Sequence, residues 1–456
     1  MAAIMREARE FGIEPVPPPY RVLGTWDNFV LWADLGISFL VMVVGMFLVP
    51  GLGFGQALLA IVVGAVIGNL LLGIAATIGS DTGTPTMVLL RAPLGLRGSF
   101  APTILNVLQL IGWAALEVIV MAQAAEALTQ RVFGIASSYH FWVIIFTALT
   151  IALALGGPIV VTKQWLEKFA VWAVLLSTIW ITIALVTTHD LGAMLSKPGD
   201  GSLSFWAAVD LVVALPISWF PLVADYSRFA SSRRASFWGT ALGYFVPQVW
   251  FYALGVALVL AMDVQGDPNA PIAPLLTAIA GLTAGWVTLF ILLIDETDEG
   301  FADIYSAALS VQNLFPRLSQ RALIVALSAI AFVIAWLVPL AQYESFLYLI
   351  GSAFVPLLGV LAADYFVLHG RRYAVDELYV ERGTYWYAGG VSWAGIATWI
   401  IGMITYLLIS GLPSFGINGL APWLGASLPS FIVGFVLHAA LGRLAVRQRR
   451  PQPAAA

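Results

Sequence analysis

The sequence predicts an all-α, polytopic membrane protein of twelve transmembrane helices, and three observations predict it. Of 456 residues, 60% are hydrophobic and 10% charged, with a mean hydropathy of +0.92; so few charges cannot coat a soluble body of this size. The chain divides at its Pro, Gly and charged residues into apolar pieces of about 20 residues, the length that crosses a hydrocarbon core about 30 Å thick. With the N-terminus placed in the cytoplasm, 19 of the 21 Lys and Arg residues fall on the cytoplasmic side, and only Arg131 and Lys197 do not. That asymmetry is the positive-inside bias of a polytopic protein.

The elements follow in order. Residues 1–26 are polar, mixed in charge and rich in proline, without the apolar stretch or small-residue site of a signal peptide. They read as a cytoplasmic tail. Spans are expected near 28–49, 55–78, 101–128, 140–156, 162–187, 204–226, 237–262, 284–312, 322–340, 343–368, 387–411 and 420–441, followed by a cytoplasmic tail over 442–456. The longest polar connector, "HGRRYAVDELYVERGTYW", is too short for a soluble domain. The expected location is a bacterial-type cytoplasmic (inner) membrane with both termini inside.

The eighth span carries the least ordinary stretch, "ILLIDETDEGFADIYSAALS", which puts Asp295, Glu296, Asp298, Glu299 and Asp303 within nine residues. From Leu275 to Asn313 there are 39 residues, or about 58 Å of helix, twice what one span needs. Either the span ends at Ile294 and the acids lie in water, or "DPNAPIAPLLTAIAG" forms a separate external or re-entrant helix and the span runs from about 284 to 312 with the acids inside. The second reading is favoured. Small and apolar residues follow the acids, and the next Arg is Arg317. Glu296, Glu299, Asp303, Ser306 and Ser310 fall within about 80° of arc at 100° per residue, with Thr297 and Asp298 opposite. A helix with acids on both sides cannot face lipid, where each costs at least a few kcal/mol, so it must be central and line a polar cavity.

Other stranded polar residues support that cavity: Asp34 in "LWADLGISFLVMVVG", Glu117 in "LQLIGWAALEVIVMAQAAEAL", and "ALPISWFPLVADYSRF", whose Pro216 and Pro221 cannot both sit in an unbroken helix. A lone intramembrane acid is also found as a structural hydrogen-bonding residue, a Pro pair as a kink, and Trp113 or Trp219 as packing; together they mark a site. Asp34 and Pro216 are 182 residues apart, as are Glu117 and Glu299. Equal offsets fit either coincidence or a duplication of five spans, whose odd number would invert the copies, as in secondary transporters with sites at discontinuous helices. On the duplication reading, 27–187 holds the first repeat, 204–368 the second, and 387–441 the last two spans.

Over roughly residues 20 to 440 the chain resembles the nucleobase:cation symporters of the purine/cytosine permease group, near the hydroxymethylpyrimidine and cytosine permease branches. The resemblance rests on "GSDTGTPTMVLLRAPLGLRGS", "NVLQLIGWAALEVIVMAQAA", "LPISWFPLVADYSRF" and "FADIYSAALSVQN". It implies a LeuT-like, five-plus-five inverted-repeat fold with two extra C-terminal helices, importing a planar heterocycle by alternating access. By position, Trp113 and Trp219 would sandwich the ring while Glu117 and Asp303 read its edge, with Gly36 of span 1 nearby. Glu117 stands where relatives commonly have an amide. The coupling-ion set would be Asp34, Ile294, Thr297, Asp298 and Glu299, binding a proton or a sodium ion. Buried acids without a clear basic partner are natural proton carriers, which favours the proton. No cofactor, no resident metal beyond a coupling sodium, no nucleic acid and no obligate protein partner is expected; the partners are a small heterocycle and the lipid bilayer.

Three other functions compete with this one. An intramembrane hydrolase lacks its "GxGD" or "HExxH" motif, and the four His residues, His140, His189, His369 and His438, lie at helix ends or connectors. A cation channel could use acid rings, but broken helices within one chain favour a transporter. A transporter of a cationic, amine-bearing solute, paired with Glu117 and Asp303, remains the alternative.

Overall fold

A computed structural model describes the chain except residues 1–10, 136, 161–170, 263–274, 277–278, 280, 283–284, 338–342, 413–415 and 449–456. It is helical throughout, apart from a two-stranded antiparallel ribbon pairing Gly411–Leu412 with Ile417–Asn418.

Among the described residues eight helices are long and apolar enough to span a membrane, or nine when a bent pair counts as one span. That pair is span 1, Thr25–Asp34 and Phe39–Phe47, bent by 64°. Apolar helices also stand at the fifth and twelfth expected spans, Val171–Thr188 and Ser427–Gln448. Span 8 is split into Gly285–Asp295 and Thr297–Leu314 at Glu296. Among the described residues, length and composition alone therefore count fewer than the expected twelve. The stretch expected as a separate helix before span 8 lies largely outside the described residues, as do Lys163 and Lys168.

Burial separates inner from outer spans. In the most apolar 18-residue stretch of each helix, 94% of the residues are buried in span 6 (Phe205–Ser227) and 89% in span 10 (Phe346–Leu368), against 28% in span 4 (Tyr139–Gly157) and 33% in span 11 (Trp393–Ser410), so the first two form the centre and the last two the rim. Apolar side chains such as Leu59 and Leu70 of span 2 (Phe54–Thr82) point outward, as lipid requires. Span 8 belongs to the centre: Glu296, Thr297, Glu299 and Asp303 are all buried.

Two breaks shape this centre. Span 1 unwinds between Asp34 and Ser38, where Ser38 caps the second half by accepting from the Leu40 amide at 3.0 Å. Span 6 runs as helix over Phe205–Ser218, tightens into a 3-10 turn at Phe220–Leu222, and resumes over Val223–Ser227. Pro221 lacks an amide proton to continue the ladder, as its sequence position implies. Span 7 (Arg233–Met262) packs against span 1 through small residues: a Cβ on Gly243 would sit 2.7 Å from the Phe29 carbonyl oxygen, and one on Gly239 2.5 Å from Asn28 Cβ. Backbones approach this closely only where side chains are missing.

The N-terminal segment is more than a tail. From Phe11 on, it is strapped across one end of the bundle. Arg21 donates to the carbonyls of Val16 (2.9 Å), Ser80 (3.3 Å) and Thr82 (3.2 Å), the Val16 amide to Gly83 O (2.8 Å), and the Leu23 amide to Phe229 O (2.9 Å). Buried Arg228 donates to Gly12 O at 2.7 Å and to the Tyr305 hydroxyl at 3.1 Å. Tyr379 donates to Ile13 O at 2.6 Å.

Candidate functional site

A small cavity lies where the breaks in spans 1 and 6 meet spans 3, 7 and 8. Its walls include Trp113 and Glu117 from span 3 (Phe100–Phe133), Trp219 from the break in span 6, and Glu299 and Asp303 from span 8. Helical spacing explains the pairs: Glu117 is one turn after Trp113, and Asp303 one turn after Glu299, so each pair shares a face.

The aromatic groups are braced. The Trp113 ring packs edge-on against Phe346, 5.1 Å between centroids. Trp219 donates through Nε1 to the Tyr244 hydroxyl at 3.0 Å, and Trp32, fully buried, meets both rings edge-on at 6.0 and 6.3 Å. Tyr244 itself lines the cavity.

The carboxylates are concentrated. Glu117, Glu296 and Glu299 each offer an oxygen within 4.8 Å of the other two, and all three are buried. Glu296 stands at the N-terminus of the second half of span 1. It accepts from the Phe39 amide at 2.6 Å and from Ser38 Oγ at 3.4 Å, where the open amides of a helix end favour negative charge. Such a trio can hold a cation, share a proton, or both.

Five expected site residues, Trp113, Glu117, Trp219, Glu299 and Asp303, thus meet at one cavity. Among the described ones, Asp34, Gly36 and Thr297 are not on its walls. Asp34 and Thr297 are buried nearby in their broken spans. Gly36 faces span 7: a Cβ there would be 2.7 Å from Pro247 Cγ and 3.1 Å from Tyr244 O. The side chains of Ile294 and Asp298 lie outside the described residues. Glu299, expected with the coupling ion, and Glu117, expected with the substrate, are neighbours in one cluster.

Sequence reasoning gave no role to Glu296, Ser38 or Tyr244. For Ser38 a signal existed, a capping residue just before "FLVMVVG". Glu296 stood within the acidic run, but its bond to a backbone amide 257 residues earlier leaves no local trace.

Beneath the cavity, toward the strapped end, polar contacts join spans 3, 6 and 8 to one another. Gln109 Nε2 donates to Ser218 O at 3.1 Å, Asn106 Nδ2 to Ser310 Oγ at 2.8 Å, and the Tyr226 hydroxyl to Ala302 O at 2.9 Å. Arg91 donates from Nε to Asn313 Oδ1 at 2.8 Å; burial lowers its pKa to about 10, so it stays charged at neutral pH.

Comparison with known proteins agrees with this architecture. The profile of a family described as permeases for cytosine/purines, uracil, thiamine and allantoin matches residues 15–427. The chain is 24% identical over 412 residues to a hydantoin permease of Microbacterium maritypicum, covering 86% of this chain and 83% of that one. It is 27% identical to the cytosine permease of Escherichia coli K12, covering 81% and 84%. The solved structure of Mhp1, a nucleobase-cation-symport-1 family transporter in a closed conformation with bromovinylhydantoin bound, superposes with a TM-score of 0.82 at 20% identity, over 96% of both chains. The fold is accordingly the inverted-repeat one expected. The chain belongs to the cytosine/purine permease family and is a membrane transporter of nucleobase-type compounds.

Proposed function

We propose that the chain is a secondary active symporter that takes up a planar heterocycle with a cation, using the cavity between Trp113 and Trp219. One observation carries this reading: two braced indoles share a cavity with Glu117, Glu299 and Asp303 where two helices are interrupted. Indole faces suit any flat ring, and polar groups at its edge select among rings. Interrupted helices supply exposed backbone groups and can rearrange between states.

In this mechanism Glu296 stays bound to the half-helix of span 1, while Glu117 and Glu299 complete a trio that takes up positive charge. Three carboxylates this close cannot all remain ionised and unneutralised. A proton fits the donor set best; a sodium ion, using Asp34, Thr297 and the backbone near Ile294, is the other reading. The repeats at 27–187 and 204–368, and cytoplasmic termini in an inner membrane, belong to the same proposal, supported by the matching breaks and the charge asymmetry.

The test is uptake by proteoliposomes of labelled cytosine, uracil, purines, hydantoins and hydroxymethylpyrimidine under imposed proton or sodium gradients. The expected result is saturable accumulation of at least one ring compound, collapsing when the gradient is dissipated. Conductance without saturation, or no accumulation of any of them, would overturn the reading.

A further inference from the structure

We propose that Tyr244 is a specificity-determining residue of this transporter: its phenolic O–H donates to a hydrogen-bond acceptor on the ring, a carbonyl oxygen or an unprotonated ring nitrogen. This rests on the heterocycle reading above and adds a requirement that the substrate must meet.

The packing of span 7 brings this side chain to the site. Gly243, just before it, has no side chain to hold spans 1 and 7 apart; a Cβ there would lie 2.9 Å from Trp32 Cβ. Pro247, one turn after Tyr244, sits against Gly36 in the break of span 1. Tyr244 therefore stands beside that break, 1% exposed, and forms part of the cavity wall.

The hydrogen-bond donors on the wall set it apart. Among the described residues three hydroxyl side chains line the cavity, those of Ser38, Ser218 and Tyr244. Ser218 donates to Leu215 O at 2.6 Å, and Ser38 to Glu296 Oε2 at 3.4 Å. Their protons are spent. An indole N–H can only donate, so in the 3.0 Å bond from Trp219 Nε1 the phenolic oxygen of Tyr244 is the acceptor and keeps its own proton. Among the described residues Tyr244 makes no other side-chain hydrogen bond, so no cavity carboxyl takes that proton. A buried donor without an acceptor is unfavourable, and the cavity is where an acceptor can enter.

The hydroxyl is also held in place. Trp32 meets the Trp219 and Tyr244 rings edge-on, with centroids 6.0 and 6.3 Å away, and the indole N–H occupies one side of the phenolic oxygen. The acceptor lone pairs of a flat heterocycle lie near its plane, at its edge. A ring resting on the Trp219 indole would thus bring an edge acceptor toward the hydroxyl that the same indole positions.

The experiment is calorimetric titration of the purified full-length protein with uracil, hydantoin and adenine, and with analogues in which one acceptor is weakened or removed: 2- and 4-thiouracil, 2- and 4-thiohydantoin, and 1-, 3- and 7-deazaadenine. For a parent ring that binds, at least one analogue should bind the wild type about tenfold or more weakly. Tyr244→Phe should weaken the parent by a similar factor, but that analogue by less than about threefold. A tyrosine that only supported Trp219 would instead lower both affinities by the same factor. Because Tyr244→Phe leaves the Trp219 N–H unmet, Trp219→Phe with and without Tyr244→Phe provides a second comparison free of that donor, with the same loss of discrimination expected. Equal losses for parent and analogue, unchanged binding of the parent by Tyr244→Phe, or a wild type that binds every analogue as well as its parent overturns the inference and leaves the heterocycle reading standing. Binding of none of the parent rings would overturn both.

Discussion

Glu296 accepts a 2.6 Å hydrogen bond from the backbone amide of Phe39, tying the interruption of span 8 to the interruption of span 1. The bond places a carboxylate at the start of a nine-residue half-helix, Phe39–Phe47, whose first amides have no partner within the helix. It also means that the two broken spans cannot shift independently without losing it.

Glu296 and Glu299 are close neighbours in the carboxylate trio, yet their removal should have opposite effects. Glu296→Ala deletes a charge-assisted bond and leaves the Phe39 amide unmet, which should destabilise the ligand-free protein by about 2 kcal/mol. Glu299→Gln should relieve repulsion and leave the apo protein as stable or more so, while transport falls at least about tenfold, the usual trade between stability and a site built for function. Thermal unfolding of both purified variants checks this. A Glu296→Ala protein that melts with the wild type would show that the bond contributes nothing.

Gly36 offers a different kind of test, since the two atoms nearest to it belong to span 7. Alanine there would bring a Cβ to 2.7 Å from Pro247 Cγ and 3.1 Å from the Tyr244 carbonyl oxygen. Overpacking of this sort costs about 1–3 kcal/mol, and the displaced strip of span 7 carries the tyrosine that braces Trp219. Gly36→Ala should lower ligand affinity without removing any group that lines the cavity. Unchanged affinity in a binding titration would mean that span 7 yields without moving Tyr244.

Asp210 serves as the control away from the cavity. Its carboxylate accepts from the amides of Ala426 (2.5 Å) and Ser427 (2.9 Å), capping the last helix, Ser427–Gln448, from the second turn of span 6. Asp210→Ala should cost about 1–2 kcal/mol of stability and leave ligand affinity unaltered, measured by unfolding and by titration on the same preparation. A large loss of affinity would mean that the C-terminal helix is coupled to the site.

What the sequence made legible, and what it hid, divides along the range of the interactions. Apolar length exposed the spans, and Pro216 with Pro221 exposed the break in span 6, because these are local properties of the chain. The acids of span 8 could be placed inside because no Arg follows them before Arg317 and because they surround the helix. Partners brought together by folding were invisible: the Phe39 amide for Glu296, Tyr244 for Trp219, Ser427 for Asp210. The contacts of the N-terminal segment were hidden for the same reason. Its prolines and charges read as a tail, and only the fold reveals that Arg21 and Arg228 find backbone carbonyls that hold it in place.

That strap leads to the last prediction. Arg228 is fully buried and spends its donors on Gly12 O, Glu14 O, Asp225 O and the Tyr305 hydroxyl, so one side chain joins the N-terminal segment to spans 6 and 8. Arg228→Gln keeps some hydrogen-bonding capacity but cannot reach all four acceptors and carries no charge. Buried hydrogen bonds made by a charged group are worth about 1.5–3 kcal/mol each in net terms, enough to shift a balance between closed and open forms that differ by a few kcal/mol. The chain has no cysteine, so a single thiol can report that shift. Ser218→Cys puts one on the cavity wall, separated from the strapped end by the contacts around Gln109 and Tyr226. In oriented membranes a bulky impermeant thiol reagent applied from the strapped side should label this position slowly, and several-fold faster when Arg228→Gln is added. Ligand should slow labelling in both backgrounds, because it occupies the same cavity. Equal labelling rates with and without Arg228→Gln, in proteins that still bind ligand, would show that the strap does not hold that side of the transporter closed.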